Sequence, residues 1–203
     1  GKEAAKSYGN NDNVVGRWKR EMGTDKEYDA AGKKWTPRQL SSLVLKKLYE
    51  DATQTLGEID EVVVTVPANF SDEAREDTME AAKLAGFEIK HIIDEPTAAA
   101  LYYAQTQGLN SGVYGVFDLG GGTFDISIIE IDGFSVTVKC SSGVSKLGGD
   151  DFDKEIMAIV NSKYEAAAGK PLASGVYGFD EAETDKKTLS KREQVRAASG
   201  IND

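Results

Sequence analysis

One stretch constrains this chain more than any other: Asp118-Leu119-Gly120-Gly121-Gly122-Thr123-Phe124-Asp125. Apolar runs flank it, GVYGVFD before and TFDISIIEI after. Two such runs joined by three glycines predict a tight hairpin between buried strands. Glycine lets the turn backbone reach positive φ and lets an anion approach its N–H groups without a Cβ in the way. Thr123 adds a hydroxyl donor. The turn therefore reads as a phosphate cradle. Asp118, at the end of the first strand, would repel a bare phosphate but suits Mg²⁺ or its waters. Asp125 suits a second cation or a polarised water. A plain glycine bend capped by aspartates is the structural alternative. No G-x-x-x-x-G-K-[ST] occurs, and no G-x-G-x-x-G opens a helix, so neither a P-loop nor a dinucleotide fold is expected.

The rest of the chain fixes the setting of that hairpin. Residues 1–35 read as polar and irregular. Thr36-Pro37-Arg38-Gln39 is a capping-box start. Leu40, Leu43, Val44, Lys47, Leu48 and Ala52 then keep helical spacing up to Gly57. Val62, Val63, Val64 and Val66 predict a strand buried on both faces, ended by Pro67. SDEAREDTMEAAKLAG is a helix with acids in its first turn, FEIKHIID a strand, and EPTAAALYYAQTQG a helix begun at Pro96 and closed by Gly108. Strand, helix, strand, helix predicts parallel pairing with a right-handed crossover. Asp132-Gly133 marks a second hairpin, leading to a strand with Phe134, Val136, Val138 and Cys140 on one face. Phe152, Ile156, Ile159 and Val160 mark a helix ending near Gly169. A loop over 170–180, a short helix in AETDKKTLS and a weakly structured last dozen residues complete the reading.

Composition excludes several classes. The net charge of −10 argues against a nucleic-acid or anionic-membrane surface. No apolar run approaches the ~20 residues of a membrane span. The single cysteine, Cys140, fits a reducing compartment, and the single histidine, His91, rules out a histidine-cluster metal site. Taken alone, Glu95 is either a water- or metal-positioning acid at a strand–helix junction or a helix-start acid favoured by the dipole. Lys19, in the cluster Arg17, Lys19, Arg20, reads alone as a solvated lysine.

Four segments, in order and in spacing, carry a resemblance: VPANFSDEAR, IIDEPTAAALYY, DLGGGTFDISIIEID and LGGDDFD. Together they resemble the nucleotide-binding domain of the 70 kDa heat-shock chaperones. The match is dense from about 60 to 160 and traceable in NVVGRWKREMG and AETDKKTLS. The resemblance implies an α/β, actin-like ATPase fold with ribonuclease H-like lobes. Residues 1–110 would be part of lobe I. Residues 111–203 would be part of lobe II, with the start of its outer subdomain.

Residue roles follow from the same resemblance. Lys19 would stabilise the γ-phosphate. Glu95 would order Mg²⁺ and the attacking water, and Asp118 would act as a metal-water or base-like aspartate. Gly120, Gly121, Gly122 and Thr123 would form the phosphate loop, with Gly148 and Gly149 closing over the nucleotide. Asp125 would serve a monovalent cation such as K⁺. Glu183, Lys186, Lys187 and Ser190 would hold adenosine, although Lys187 lacks the planar guanidinium often found there. Pro67 and Arg75 would couple nucleotide state to a peptide-binding domain.

The implied activity is ATP hydrolysis in a cytoplasmic chaperone that binds unfolded peptides and works with J-domain co-chaperones and nucleotide-exchange factors. A sugar or acid kinase of the same superfamily, and a non-catalytic scaffold for co-chaperones, are the competing readings. The family opens with a second, Gly-Thr-Thr phosphate hairpin that does not precede Lys19 here. These 203 residues are accordingly expected to be an internal part of a longer protein. Losing about three charge-assisted bonds to phosphate would remove ~5–9 kcal/mol, more than a thousandfold in affinity. Weak ATP binding, no useful turnover by this chain alone, and some self-association through an unpaired valine edge are therefore expected.

Overall fold

The computed structural model describes Ala4, Ser7, Tyr8 and residues 11–108, 111–133 and 135–197. Phe134 and the last six residues of the chain lie outside the described residues. Where residues 1–35 read as irregular, the structure has a 3-10 helix, Trp18–Glu21, and an antiparallel hairpin of β1 (Tyr28–Ala30) and β2 (Lys33–Trp35). The hairpin turns at Ala31 and Gly32, both at positive φ. Two left-handed residues in a two-residue turn match the right-handed strand twist.

Helix α1 (Pro37–Leu56) begins as its sequence dictates. Thr36 accepts from the Gln39 amide, Gln39 reaches back to the Thr36 amide, and Gly57 is the C-cap. Helix α2 (Asp72–Ala85) is capped by Ser71 and ends at Gly86 in the left-handed region. The two helices pack together, and Tyr49 stacks on Phe87 with ring centroids 4.8 Å apart.

Strand β3 (Val63–Val66) pairs in parallel with β4 (His91–Asp94), which is shorter than FEIKHIID suggested. The expectation that β3 is buried on both faces is corrected: Val66 is 1% exposed but Val63 is 53% exposed. Among the described residues this sheet has two strands. A β-branched run is buried only where layers on both sides exist to cover it.

The second sheet has strand order β5-β6-β7, formed by β5 (Ser111–Leu119), β6 (Phe124–Asp132) and β7 (Ser135–Val144), all antiparallel. A bulge between Ile128 and Ile129 shifts the β7 register. Cys140 consequently pairs with Ile128 and turns to the exposed face, instead of sharing the face of Val136 and Val138 as simple alternation implied.

Helix α3 (Glu95–Gln107) packs across all three strands of this sheet while also touching β3 and β4. Ala100 and Ala104 meet Ile129 and Ile131 in the principal apolar cluster. Small alanines let the helix lie close on the sheet. Helices α4 (Gly149–Ala168) and α5 (Phe179–Leu189) then pack on each other. Among the described residues no helix is long and apolar enough to cross a membrane.

Candidate functional site

The glycine hairpin forms as its sequence suggests. Asp118 pairs with Asp125 and Leu119 with Phe124, so residues 120–123 make the turn. The Gly120 amide donates to the Thr123 carbonyl at 3.0 Å. Among the described residues the amides of Gly121, Gly122 and Thr123 have no such partner. Gly120 and Gly121 are exposed and Gly122 and Thr123 half-buried, so these donors are not sealed inside the protein.

The loop Gly148-Gly149 seats directly on this turn. The Gly149 amide donates to Gly120 O at 3.0 Å, and the Asp150 amide to Gly121 O at 2.9 Å. A Cβ on Gly148 would lie 2.6 Å from the Gly121 carbonyl carbon and oxygen, so the backbones meet only because that residue is glycine. The carbonyls of Gly120 and Gly121 are thereby turned toward the N-terminus of α4.

Lys19 and Glu95, 76 residues apart, meet in a 2.7 Å ion pair. The 3-10 helix Trp18–Glu21 brings the lysine; the start of α3 brings the acid. Asp118 faces the same side of its sheet as Asp125 and the α3-facing Ile129. Among the described residues it makes no side-chain hydrogen bond, so its carboxylate is available. Asp125, 3% exposed, accepts from Asn69 Nδ2 at 2.7 Å. That bond ties the loop after β3 to the second sheet and leaves Asp125 Oδ2 for another ligand.

Arg20 is a residue whose contacts to the turn the sequence did not reveal. Its guanidinium grips Asp151 bidentately, at 3.0 and 2.6 Å, and donates to Gly121 O at 3.1 Å. It also lies beneath Gly122, where a Cβ would come 3.2 Å from Arg20 Nε. The Arg20 guanidinium holds the Asp151 carboxyl well below the usual carboxylate range, helped by the Gly148 amide that Asp151 also accepts. The only hint in the sequence was the cluster Arg17, Lys19, Arg20.

On α5, Lys186 reaches back to Gly149 O at 3.0 Å and Asp153 Oδ1 at 2.7 Å. Glu183 and Lys187 form an i,i+4 pair at 2.7 Å, and that lysine holds the Glu183 carboxyl below its ordinary value. The Ser190 hydroxyl donates to Lys186 O at the helix end. Of the four residues expected to hold adenosine, Lys186 alone contacts the glycine loop; Glu183, Lys187 and Ser190 are exposed. Behind the site, Pro67 is fully buried and Arg75 donates to Ala68 O at 3.2 Å and Asp94 Oδ1 at 2.7 Å. The turn 67–70 is thus linked through Arg75 to Asp94, the residue that precedes Glu95.

The two halves of the chain meet at the glycine hairpin, where Arg17 pairs with Asp150 and Arg20 with Asp151. Residues 9–201 match the family model described as HSP70, Hsp70 protein. The chain belongs to the Hsp70 family, and with it to the actin-like ATPase fold of chaperone nucleotide-binding domains.

Among the described residues no three acidic, cysteine or histidine side chains form a metal cage.

Proposed function

We propose that residues 1–110 and 111–203 are parts of the two lobes of an ATP-binding, ATP-hydrolysing chaperone domain, with the glycine hairpin as its phosphate cradle. The free amides of Gly121, Gly122 and Thr123 are the observation that carries this reading. In this reading Gly148 and Gly149 brace the cradle through its carbonyls. Lys19, paired with Glu95, supplies positive charge against the negative charge of the terminal phosphoryl group. Phosphoryl transfer needs such positioning and charge more than covalent chemistry.

Glu95 and Asp118 are the carboxylates that would hold Mg²⁺ through its waters; when bound, the ion neutralises phosphate charge. Glu95 is already set at a helix start beside Lys19, and Asp118 is unpaired and able to hold or orient a water. Asp125 keeps one oxygen for K⁺. Lys186 is the best placed of the adenosine candidates, with Glu183, Lys187 and Ser190 on the outer face of the same helix. Pro67 and Arg75 pass changes at Glu95 outward through Asp94. In the whole protein this supports nucleotide-gated peptide binding with J-domain and exchange-factor partners in a reducing cytoplasm.

The described residues contain one glycine cradle, so the chain by itself is proposed to bind ATP weakly and to turn over little. Isothermal titration with Mg-ADP tests this. Weak binding lost in Asp118→Asn and in Lys19→Ala supports the reading. Binding that ignores both substitutions contradicts it, and co-chaperone capture without any nucleotide binding would favour the scaffold reading.

A further inference from the structure

Besides the Asn69–Asp125 bond, the first and second halves touch at two places of opposite character. At one, α3 lies on the sheet β5-β6-β7 through alanine and isoleucine contacts. At the other, the 3-10 helix meets the N-terminus of α4 almost wholly through charge. Arg17 Nε lies 2.8 Å from Asp150 Oδ2, Arg20 binds Asp151, and Lys146 Nζ reaches Glu21 Oε1 at 3.3 Å. Apolar packing at one end and ion pairs at the other is the layout of a hinge and a releasable closure.

Arg17 stands out within this closure. Its guanidinium lies 3.8 Å from the centroid of the Phe179 ring and 4.6 Å from that of Tyr8. Phe179 opens α5, so Arg17 touches both helices of the outer part of the second half. Its backbone is left-handed, with φ 62° and ψ 18°. A residue carrying a Cβ occupies that region rarely, and holds it only where surrounding contacts over-determine it. Its side-chain contacts are available to do so: two adjacent, mutually tilted aromatic rings and a carboxylate. Guanidinium is suited to this, being planar, weakly hydrated and able to stack and pair at once.

We propose that Arg17 is a latch between the two halves, held by Phe179 and Asp150, whose release lets the cleft around the glycine hairpin open about the α3 contact. The same 3-10 helix carries Lys19, so the latch also fixes where that lysine stands. Both the Arg17 and Asp150 side chains keep partial exposure, 27% and 19%, so water can compete for them. The latch acts without nucleotide, and its test is independent of whether the hairpin binds phosphate.

Cys140, exposed on the second sheet, and a cysteine introduced at exposed Glu50 on α1 accept a donor–acceptor dye pair. Interdye distances are read on the nucleotide-free chain. The parent is expected to show a short distance that lengthens at about 1 M salt, where the Debye length is ~3 Å. Arg17→Gly suits the left-handed backbone yet removes the side chain; it and Asp150→Asn are each expected to shift molecules to the longer distance. Arg17→Asp with Asp150→Arg is expected to restore the short one. Should Arg17→Gly fail to fold by circular dichroism, Asp150→Asn and the salt series carry the test. Unchanged distances in Asp150→Asn and at high salt, or a charge swap that stays open, overturn the latch.

Discussion

Gly148 and Gly120 lie in the same braced junction, yet only one of them must be glycine for steric reasons. A Cβ at Gly120 would have nothing nearer than 3.7 Å, whereas one at Gly148 would collide with backbone at 2.6 Å. Gly148→Ala is therefore expected to destabilise the chain by about 1–3 kcal/mol, as forced overpacking does, with Gly120→Ala near neutral. Urea denaturation of the two variants checks the contrast. Asp151 carries the pH dependence at this scale. Its carboxyl is depressed in the folded chain, so its contribution is fully present above the unfolded value, ~3.9, and is lost as pH falls toward the lower folded value. Melting temperature is expected to hold from neutral pH down to about pH 4 and to fall below it, and to fall less in Asp151→Asn. The hairpin that carries these glycines, with Asp118 and Asp125 flanking it, was legible in the sequence because three glycines between two apolar runs announce a tight turn. Arg20 was not, because its value comes from Gly121 and Asp151, about a hundred residues away in sequence or more, and no local pattern encodes such a meeting.

At the scale of elements, helix ends were the most legible feature. Thr36 with Gln39, and the left-handed Gly86, Gly108 and Gly169, stand where their backbone chemistry puts them. Thr36→Ala is expected to cost about 1 kcal/mol, measurable by thermal melting. The β1–β2 hairpin was missed because its turn is Ala-Gly, with alanine at φ 52°, and not the Asn-Gly or Asp-Gly that announces such turns. The β7 bulge was invisible for a related reason: alternation in sequence continues through it while the facing reverses. Loop-to-strand anchoring is also an element property. Asn69→Ala leaves buried Asp125 without its partner and is expected to cost about 1–3 kcal/mol. Asn69→Asp should be worse, since it would set a second carboxylate against the first.

The whole molecule shows what layers do to a sheet. The face of β5-β6-β7 under α3 is closed, but on the other face Val113, Phe117 and Leu119 of β5 are 64%, 72% and 54% exposed. Exposed apolar strands of this kind promote association. Light scattering is expected to show concentration-dependent self-association, reduced in Phe117→Lys; a chain that stays monomeric at high concentration would count against it. The change from alternating strands and helices to an antiparallel meander was legible in the sequence. The bridging of both sheets by α3 was not, since amphipathic pattern tells which face is buried but not against what.

In the proposed function the amides of the glycine turn receive phosphate. Nitrogen-15 labelled chain titrated with Mg-ADP reads them individually. The resonances of Gly121, Gly122 and Thr123 are expected to shift together with saturation, and Lys19→Ala to weaken the response. Saturable nucleotide binding that leaves those three amides unmoved would contradict it.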